Sequence, residues 1–373
     1  MTDIRANSFD RFWGECQAEL TAAFQDVGAS GWYVLGQHVA AFEASLARYS
    51  ELPYAIGCAN GMDAIEISLR LLGVGVGDKV LTTPMSAFAT TLAILRVGAV
   101  PVFSDTDEYG LLDPSSAAQA LAEHPDITCI VPVHLYGHLF DMEGLKAVAD
   151  AASIPIIEDA AQAVGARRGS WRVGQVGVTT CISFYPTKNL GAIGDGGALL
   201  LSDPEMDERA RSLRNYGQTE RYVHDNVGLN SRLDEVHAAM LDKVMLPKLD
   251  AWTDRRRQIA KRYLAEISNP NVSPIGGIDP DGAVWHLFPV RVAPDRRGAF
   301  MDHLSAAGIQ VGQHYPILIP DQKAMLQYGT PIVSGSLTSA RALAETEVSL
   351  PIQPFLTQDE VGQVIEAVNG WAE

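Results

Sequence analysis

The segment Ile127–Ala163, ITCIVPVHLYGHLFDMEGLKAVADAASIPIIEDAAQA, contains the pattern that decides the fold. Two apolar runs, Ile127–Val133 and Ile154–Glu158, show no alternation of polar and apolar residues, which is typical of strands covered on both faces. Between them, Met142–Ala152 has the pattern of a helix. A strand, a helix and a second buried strand predict two parallel strands joined by a crossover helix.

The same pattern extends over the chain from about Pro53 to Leu201. Further apolar runs typical of buried strands are Lys79–Thr83, Val100–Phe103, Thr180–Phe184 and Gly197–Leu201. Further helical patterns are Gly61–Leu72, Thr90–Val97 and Ser115–Ala122. This alternation predicts an α/β fold with a mostly parallel central sheet.

After Leu201 the pattern changes. The predicted elements are a helix at Glu205–Leu213, a polar loop at Asn215–Ser231 and a long helix over Leu233–Ile267. Because Pro247 breaks or kinks this last helix, we place a domain boundary beside it. The large domain is then 1–245, and a smaller C-terminal α+β domain is 246–373. The smaller domain is predicted to contain a strand at Val284–Val292 and helices at Gly298–Ala307 and Gln358–Trp371.

The composition excludes several classes of protein. The 373 residues carry a net charge of -17 with a pI near 4.9, so the chain lacks the basic surface that a nucleic-acid backbone requires. The four cysteines form no C-x-x-C pair, which favours reduced thiols over a disulfide or zinc site, and we expect no metal. The polar N-terminus, Met1–Asp10, and the lack of membrane-length apolar runs predict a cytoplasmic protein.

Two carboxylates end the predicted strand in Ile154–Ala163, IPIIEDAAQA. In open α/β sheets, ligands lie beyond the carboxyl ends of the strands. Glu158 and Asp159 should point to opposite faces of the strand, so one of them is expected to face that crevice. Capping of a following helix by Asp159 is the alternative.

A lysine follows another predicted strand in Ile182–Gly197, ISFYPTKNLGAIGDGG. A lysine near apolar walls loses its charge more easily and becomes an amine nucleophile, although most lysines are solvated. The four glycines of this segment, Gly191, Gly194, Gly196 and Gly197, indicate either close backbone contact or turns.

A helix is predicted to begin in Cys58–Leu72, CANGMDAIEISLRLL, with Asn60 as its cap. Its first-turn amides are suited to a phosphate, although an ordinary capped helix has the same appearance. Together the three segments match one cofactor. Pyridoxal 5'-phosphate (PLP) needs a helix N-terminus for its phosphate, a carboxylate for its ring nitrogen and a lysine for its aldehyde.

These segments resemble the DegT/DnrJ/EryC1/StrS family of nucleotide-sugar aminotransferases, which have the aspartate-aminotransferase fold, type I. The similarity extends from about Gly31 to the C-terminus. The motifs in family order are GWYVLG, CANGMDA, PVHLYG, IEDAAQA, SFYPTKNLGAIGDGGA, RNYG, GLNSRLDEVHAAML and QHYP.

The resemblance implies a role for each matched residue. Lys188 would bond to the PLP aldehyde, Asp159 would pair with the ring nitrogen, and Gln162 would contact the ring hydroxyl side. The phosphate contacts would be Gly61, Met62, Ser183 and, from a neighbouring subunit, Asn230. Capping of the helix near Leu233 is an alternative role for Asn230. The substrate contacts would be Tyr185, Arg221, Arg232, His314 and Tyr315, with a surface or packing role as the alternative for each.

Two positions depart from the family pattern. Met62 stands where many relatives have Ser or Thr, so one side-chain hydrogen bond to the phosphate should be missing. Ala87 stands where many relatives place an aromatic residue over the PLP ring. Phe88, one residue further along, is the candidate for this cofactor contact. On a strand-like segment it would point the other way, so the stacking residue stays open.

The implied activity is transfer of an amino group from L-glutamate to a nucleotide-linked keto sugar, a dTDP-3-keto-6-deoxyhexose, by a homodimer with shared active sites. The alternatives are a UDP-linked 3-keto uronic sugar or a keto-cyclitol as acceptor, or a non-catalytic PLP-binding regulator. A PLP-dependent dehydratase would have histidine in place of Lys188. The nucleotide, the C3 or C4 keto position and the stereochemistry stay open.

Overall fold

Helices and strands alternate through the residues that the computed structural model describes, which are 3–277, 279–329 and 331–372. The helices in those ranges are α1 (Phe9–Ser30), α2 (Gln37–Ser50), α3 (Gly61–Leu71), α4 (Phe88–Arg96), α5 (Pro114–Glu123), α6 (Met142–Ala152), α7 (Pro204–Arg214), α8 (Glu235–Met240), α9 (Leu246–Glu266), α10 (Arg297–Ala306), α11 (Lys323–Tyr328), α12 (Thr338–Thr346) and α13 (Gln358–Asn369). Met1 and Thr2, with which the polar N-terminal segment begins, and Glu373 lie outside the described residues.

The strands fall between these helices. In the same ranges they are β1 (Tyr54–Cys58), β2 (Lys79–Thr82), β3 (Val100–Phe103), β4 (Ile127–Val131), β5 (Ile157–Asp159), β6 (Arg167–Arg168), β7 (Trp171–Arg172), β8 (Thr179–Ser183), β9 (Gly197–Leu201), β10 (Gln218–Glu220), β11 (Val223–His224), β12 (Ser273–Pro274), β13 (Phe288–Arg291), β14 (Ile332–Val333) and β15 (Glu347–Leu350).

The central sheet has the strand order β1-β9-β8-β5 on one side and β4-β2-β3-β14 on the other. Two parallel bridges, Ile130 with Ile156 and Val133 with Asp159, join β4 to β5. The pairs β5–β8, β2–β4, β2–β3 and β3–β14 are parallel, whereas β9 runs antiparallel to β1 and β8. The predicted α/β fold with a mostly parallel central sheet is therefore confirmed.

The parallel pairing of β5 and β8 determines where the functional segments meet. Asp159, the last residue of β5, pairs with Cys181, and β8 ends two residues later at Ser183. Because parallel strands end at the same edge of a sheet, Asp159 and the loop after Ser183 lie side by side. The helix α3 begins at the same place and packs against β8 and β9.

The C-terminal residues form a second, antiparallel sheet, β12-β13-β15. An apolar cluster on this sheet contains Tyr263, Trp285, Phe288, Phe300 and Trp371, together with Ile4 from the N-terminal segment. Other residues of this part, including Val284, Leu318 and Leu343, pack instead into the core of the central sheet. The division at 245/246 therefore stays a prediction.

The long helix around Pro247 is not broken. Between α8 and α9, Leu241–Met245 adopts a π-helical turn, and Pro247 occupies the first turn of α9. A proline has no N–H to donate, and the wider turn accommodates that loss without ending the helix.

Two long helices, α1 and α2, precede the region where the apolar pattern begins, and the sequence pattern does not predict them. Large apolar side chains are exposed on and after α1, among them Phe9, Trp13, Phe24, Trp32 and Tyr33. Across the described ranges, no helix is both long enough and apolar enough to span a membrane. All four cysteines are buried and free.

The contact between β9 and the start of α3 leaves no room for a side chain at Gly197. A Cβ atom there would lie 2.3 Å from the carbonyl carbon of Asn60 and 2.6 Å from the amide nitrogen of Gly61. Gly197 therefore allows close backbone contact between β9 and α3. Its φ is not positive, so the glycine is not required for a left-handed turn.

We expect Gly197→Ala to lower the free energy of unfolding by about 1–3 kcal/mol, because the added methyl group forces β9 and α3 apart. The matched control is Gly75→Ala, where no atom lies within 4 Å of the new Cβ and the effect should stay within about 0.5 kcal/mol. Urea unfolding at one protein concentration measures both. Equal stability of the two variants would contradict the close contact.

Candidate active site

Lys188 lies in the loop after β8, and its backbone N–H donates to the carbonyl of Tyr185 at 2.8 Å. Burial lowers the pKa of its amine, and the nearby Asp159 carboxylate opposes that shift. A lysine whose ammonium form is destabilised in this way is deprotonated at lower pH and becomes a better nucleophile and base.

Asp159 is buried at the end of β5 and is held by two hydrogen bonds. The hydroxyl of Thr90 donates to its Oδ2 at 2.8 Å, and the amide of Ala161 donates to its Oδ1 at 3.1 Å. Burial raises the pKa of Asp159, while these hydrogen bonds and the Lys188 charge act in the opposite direction.

The neighbouring carboxylate, Glu158, faces a different set of groups. It accepts hydrogen bonds from the amides of Gly174, Val176 and Gly177, at 2.7–2.9 Å, and lies 2.9 Å from Nε2 of His134. Burial raises its pKa, but these contacts outweigh burial and leave the pKa lowered. As predicted, only one of the two carboxylates is directed toward Lys188.

The N-terminus of α3 lies against Ser183. Asn60 caps the helix by accepting from the amide of Asp63 at 2.8 Å. A Cβ on Gly61 would lie 2.8 Å from the Cβ of Ser183, so helix and strand are in direct contact. The first-turn amides have no partner within the helix, which makes this a site for an anion. The Met62 side chain packs against an apolar cluster and offers no polar group there.

Gln162 is buried between two tyrosines. Its Oε1 accepts from the amide of Tyr136 at 2.7 Å, and its Nε2 donates to the hydroxyl of Tyr315 at 3.1 Å. Tyr136 has a left-handed backbone, with φ of 60°, which directs its N–H to the glutamine. Burial raises the pKa of Tyr315 to about 12, so its hydroxyl keeps its proton.

These groups fit PLP. A partly buried amine, a buried carboxylate within electrostatic reach of that amine, and the N-terminus of α3 lie at one edge of the sheet. They match the aldehyde, the ring nitrogen and the phosphate of PLP. His314 lies in the same region, since its carbonyl accepts from the hydroxyl of Tyr136, whose amide donates to Gln162. Burial, followed by the Lys188 charge, lowers the pKa of His314 to about 4.

The remaining predicted contacts lie further out. Tyr185 is half exposed, and Arg232 donates to Oδ1 of Asn215 at 3.0 Å. Arg221 is exposed in the turn between β10 and β11, where it contacts Tyr222. Asn230 is also exposed. In the described contacts of this single chain, neither Arg221 nor Asn230 joins the group around Lys188.

Two expectations for these segments need correction. Asn230 does not cap the helix that follows, because Asp234 is the cap of α8 and accepts from the amide of His237 at 2.8 Å. Phe88 does not lie on a strand-like segment. It begins α4 and packs against a cluster that contains Phe103 and Ile319, so its role as the stacking residue stays a prediction.

Thr90 and Tyr136 make polar contacts with Asp159 and Gln162 that the sequence motifs do not predict. Thr90 lies in the first turn of α4, and no motif distinguishes it from Thr91 beside it. Tyr136 is part of PVHLYG, but its contribution comes from its backbone N–H, which the residue type does not reveal.

Residues 15–369 match the model of the DegT/DnrJ/EryC1/StrS aminotransferase family. The chain is 42% identical to a dTDP-3-amino-3,4,6-trideoxy-alpha-D-glucose transaminase of Streptomyces venezuelae, over 96% of the chain and 93% of that protein. It is 41% identical to the erythromycin biosynthesis sensory transduction protein EryC1 of Saccharopolyspora erythraea, over 96% of each.

Among solved structures, the chain resembles S. venezuelae DesV in complex with a ketimine intermediate. The TM-score is 0.94 and the identity 40%, over 100% of this chain and 99% of that one. The predicted aspartate-aminotransferase fold, type I, is therefore confirmed. The chain belongs to the DegT/DnrJ/EryC1/StrS family and is a PLP-dependent aminotransferase.

Proposed function

We propose that the chain transfers an amino group from L-glutamate to the keto carbon of a dTDP-3-keto-6-deoxyhexose. The observation that carries this proposal is the 42% identity, over nearly the whole chain, to a protein named for a dTDP-linked 3-amino sugar. The similarity to DesV at a TM-score of 0.94 supports it. The partly buried Lys188 amine and the buried Asp159 carboxylate are the groups that such a transfer requires.

Lys188 is the group that moves protons in this proposal. PLP, when bound, supplies an electron sink for the carbon from which a proton is removed. Lys188 Nζ would hold the PLP aldehyde at rest, and binding of glutamate would free this amine to act as a base. Lys188 Nζ would take the proton from the α-carbon of glutamate as a base and would give it, as an acid, to the cofactor carbon that carried the aldehyde. Burial of Lys188 favours this role, since it lowers the pKa of the amine.

Asp159, Gln162 and the α3 N-terminus hold and orient the cofactor. The Asp159 carboxylate, which the hydroxyl of Thr90 orients, would keep the ring nitrogen protonated. Gln162, fixed by Tyr136 and Tyr315, would contact the ring hydroxyl. The amides of Gly61 and Met62, with the hydroxyl of Ser183, would bind the phosphate. The keto sugar then accepts the amino group after the keto acid has left, so we expect ping-pong kinetics.

We further propose that two chains form a homodimer in which each site uses residues of both. The exposed aromatic side chains of α1 and of Trp32 and Tyr33 supply an apolar surface for such an interface. Asn230 is exposed on a polar segment and is not needed as a helix cap. The proposed role of Asn230 is to donate to the PLP phosphate of the partner subunit.

The name of the S. erythraea relative favours a second candidate, a PLP-binding protein with a sensory role. A binder needs the phosphate site but has no need for a free amine beside the ring. Addition of L-glutamate to the PLP-loaded protein separates the two candidates. An enzyme converts the cofactor and changes its absorbance, whereas a binder does not.

We predict that, in a panel of synthetic keto sugars with L-glutamate as donor, a dTDP-3-keto-6-deoxyhexose gives the highest kcat/KM. Arg221→Ala should raise the KM for this sugar by about tenfold or more, because a charge-assisted contact to the diphosphate is lost. The KM for glutamate should not change. Arg48→Ala, which removes an exposed arginine from α2, is the matched control and should change neither.

The proposed acceptor is wrong if a keto-cyclitol or a UDP-linked 3-keto uronic sugar reacts faster than every dTDP sugar. The proposed role of Arg221 is wrong if Arg221→Ala and Arg48→Ala give the same two KM values.

We predict that Lys188→Ala and Asn230→Ala chains, each impaired alone, regain activity when unfolded, mixed and refolded together. Half of the dimers are then mixed, and each mixed dimer has one site with both residues intact, so about a quarter of the wild-type activity should return. A mixture of Lys188→Ala with Asp159→Ala is the control. One chain supplies both Lys188 and Asp159 to a site, so no mixed dimer contains an intact site and no activity should return. No recovery in the first mixture, or activity of a monomer, would contradict shared sites.

A further inference from the structure

A buried hydrogen-bond chain ends at the imidazole of His314. Glu347 and Ser349 are two residues apart on β15, so their side chains share one face of the strand. The hydroxyl of Ser349 bonds to Oε1 of Glu347 and lies 2.9 Å from Nδ1 of His314. The amide of His314 donates to Oε2 of Glu347 at 2.6 Å. These hydrogen bonds connect the carboxylate of Glu347, the hydroxyl of Ser349, and the amide and imidazole of His314.

The backbone holds this arrangement in place. Gly312 and Ser349 exchange two backbone hydrogen bonds, of 3.2 and 2.9 Å, which fix the segment before His314 against β15. The hydroxyl of Tyr136 donates to the carbonyl of His314 from the other side. In the part of the chain that the structure describes, Nε2 of His314 has no protein hydrogen-bond partner.

The count of protons decides which tautomer His314 adopts. A carboxylate has no proton to give, so beside an ionised Glu347 the single proton of the Ser349 hydroxyl is donated to Oε1. The Ser349 oxygen then has only lone pairs for His314, and Nδ1 must supply the proton of that hydrogen bond. A neutral His314 therefore has an unprotonated Nε2, which accepts hydrogen bonds.

We propose that Glu347, acting through Ser349, is a positioning residue that makes Nε2 of His314 a hydrogen-bond acceptor for a hydroxyl of the keto sugar. This inference rests on the proposed function only in its last step, the contact with the sugar. The placement of the proton depends on Glu347 and Ser349 alone. Protonation of Glu347 reverses the chain: Oε1 donates to Ser349, Ser349 donates to Nδ1, and Nε2 becomes a donor.

The electrostatic environment places this reversal in an accessible pH range. Burial raises the pKa of Glu347 to about 7, although Ser349 and the His314 amide oppose the shift. Burial, followed by the Lys188 charge, lowers the pKa of His314 to about 4, so the imidazole is neutral across that range. The other charged or titratable groups that face Glu347 or His314 are Arg291, Arg297, Tyr136, Tyr315 and His286.

The direct test is the 15N spectrum of histidine-labelled, PLP-loaded protein, with the His314 signals assigned by their loss in His314→Gln. At pH 8, above the pKa of Glu347, the proton should be on Nδ1; at pH 6 it should be on Nε2. Glu347→Gln should show the Nε2–H form at both pH values, because its carbonyl accepts from the His314 amide while its amide group donates to Ser349.

Two further variants guard against a general loss of structure. Ser349→Ala removes the relay and should abolish the pH-dependent change, whereas Ser349→Thr keeps the hydroxyl and should retain it. The inference is overturned if the wild type shows Nε2–H at pH 8, or if Glu347→Gln leaves the tautomer at pH 8 unchanged.

Affinity for the unreacted sugar nucleotide tests the last step. The wild-type Kd should be about fivefold lower at pH 8 than at pH 6, which is the factor for one hydrogen bond of ordinary net strength. Glu347→Gln should remove this pH dependence. If the tautomer changes as expected but the Kd does not, the contact between His314 and the sugar is disproved. The assignment of the proton to Nδ1 or Nε2 then still holds, and only the proposed position of the substrate is wrong.

Discussion

The site depends on one electrostatic constraint, the burial of the Lys188 amine and the Asp159 carboxylate near each other. Burial alone lowers the pKa of the lysine and raises the pKa of the aspartate, so both groups are driven toward their neutral forms. Each charge partly offsets the burial of the other. The balance leaves an amine that can be released as a nucleophile and a carboxylate whose charge can serve a ring nitrogen.

The fold produces this constraint through strand register. Asp159 ends β5 opposite Cys181 of β8, and the Lys188 loop begins two residues after that position. On the other side of β8, Gly61 and Gly197 allow α3, β8 and β9 to come into backbone contact. The carboxylate is therefore held by β5, the amine by the loop after β8, and the anion site by the N-terminus of α3. Because these elements are packed together, a movement of one strains the others.

The groups that the sequence reveals are those whose chemistry lies in the residue type and its position after a strand. The helix Met142–Ala152 is predicted residue for residue, and the segments of Lys188, Asp159 and Asn60 are each found at the end of an element. Thr90, Tyr136 and Glu347 are not found, because they are 69, 26 and 33 residues from their partners and contribute through tertiary contacts or the backbone. The helices α1 and α2 are also not predicted. On α1 the large apolar side chains of Phe9, Trp13 and Phe24 are exposed, so they do not mark a buried face.

We propose above all that Lys188 is the lysine that bonds to PLP. Borohydride reduction of the PLP-loaded protein makes that bond permanent, and peptide mapping then identifies the modified residue. Lys188 should carry the pyridoxyl group in the wild type, and Lys188→Ala should bind PLP without being labelled, because the phosphate and ring contacts remain. Labelling of any other lysine in the wild type would contradict the account.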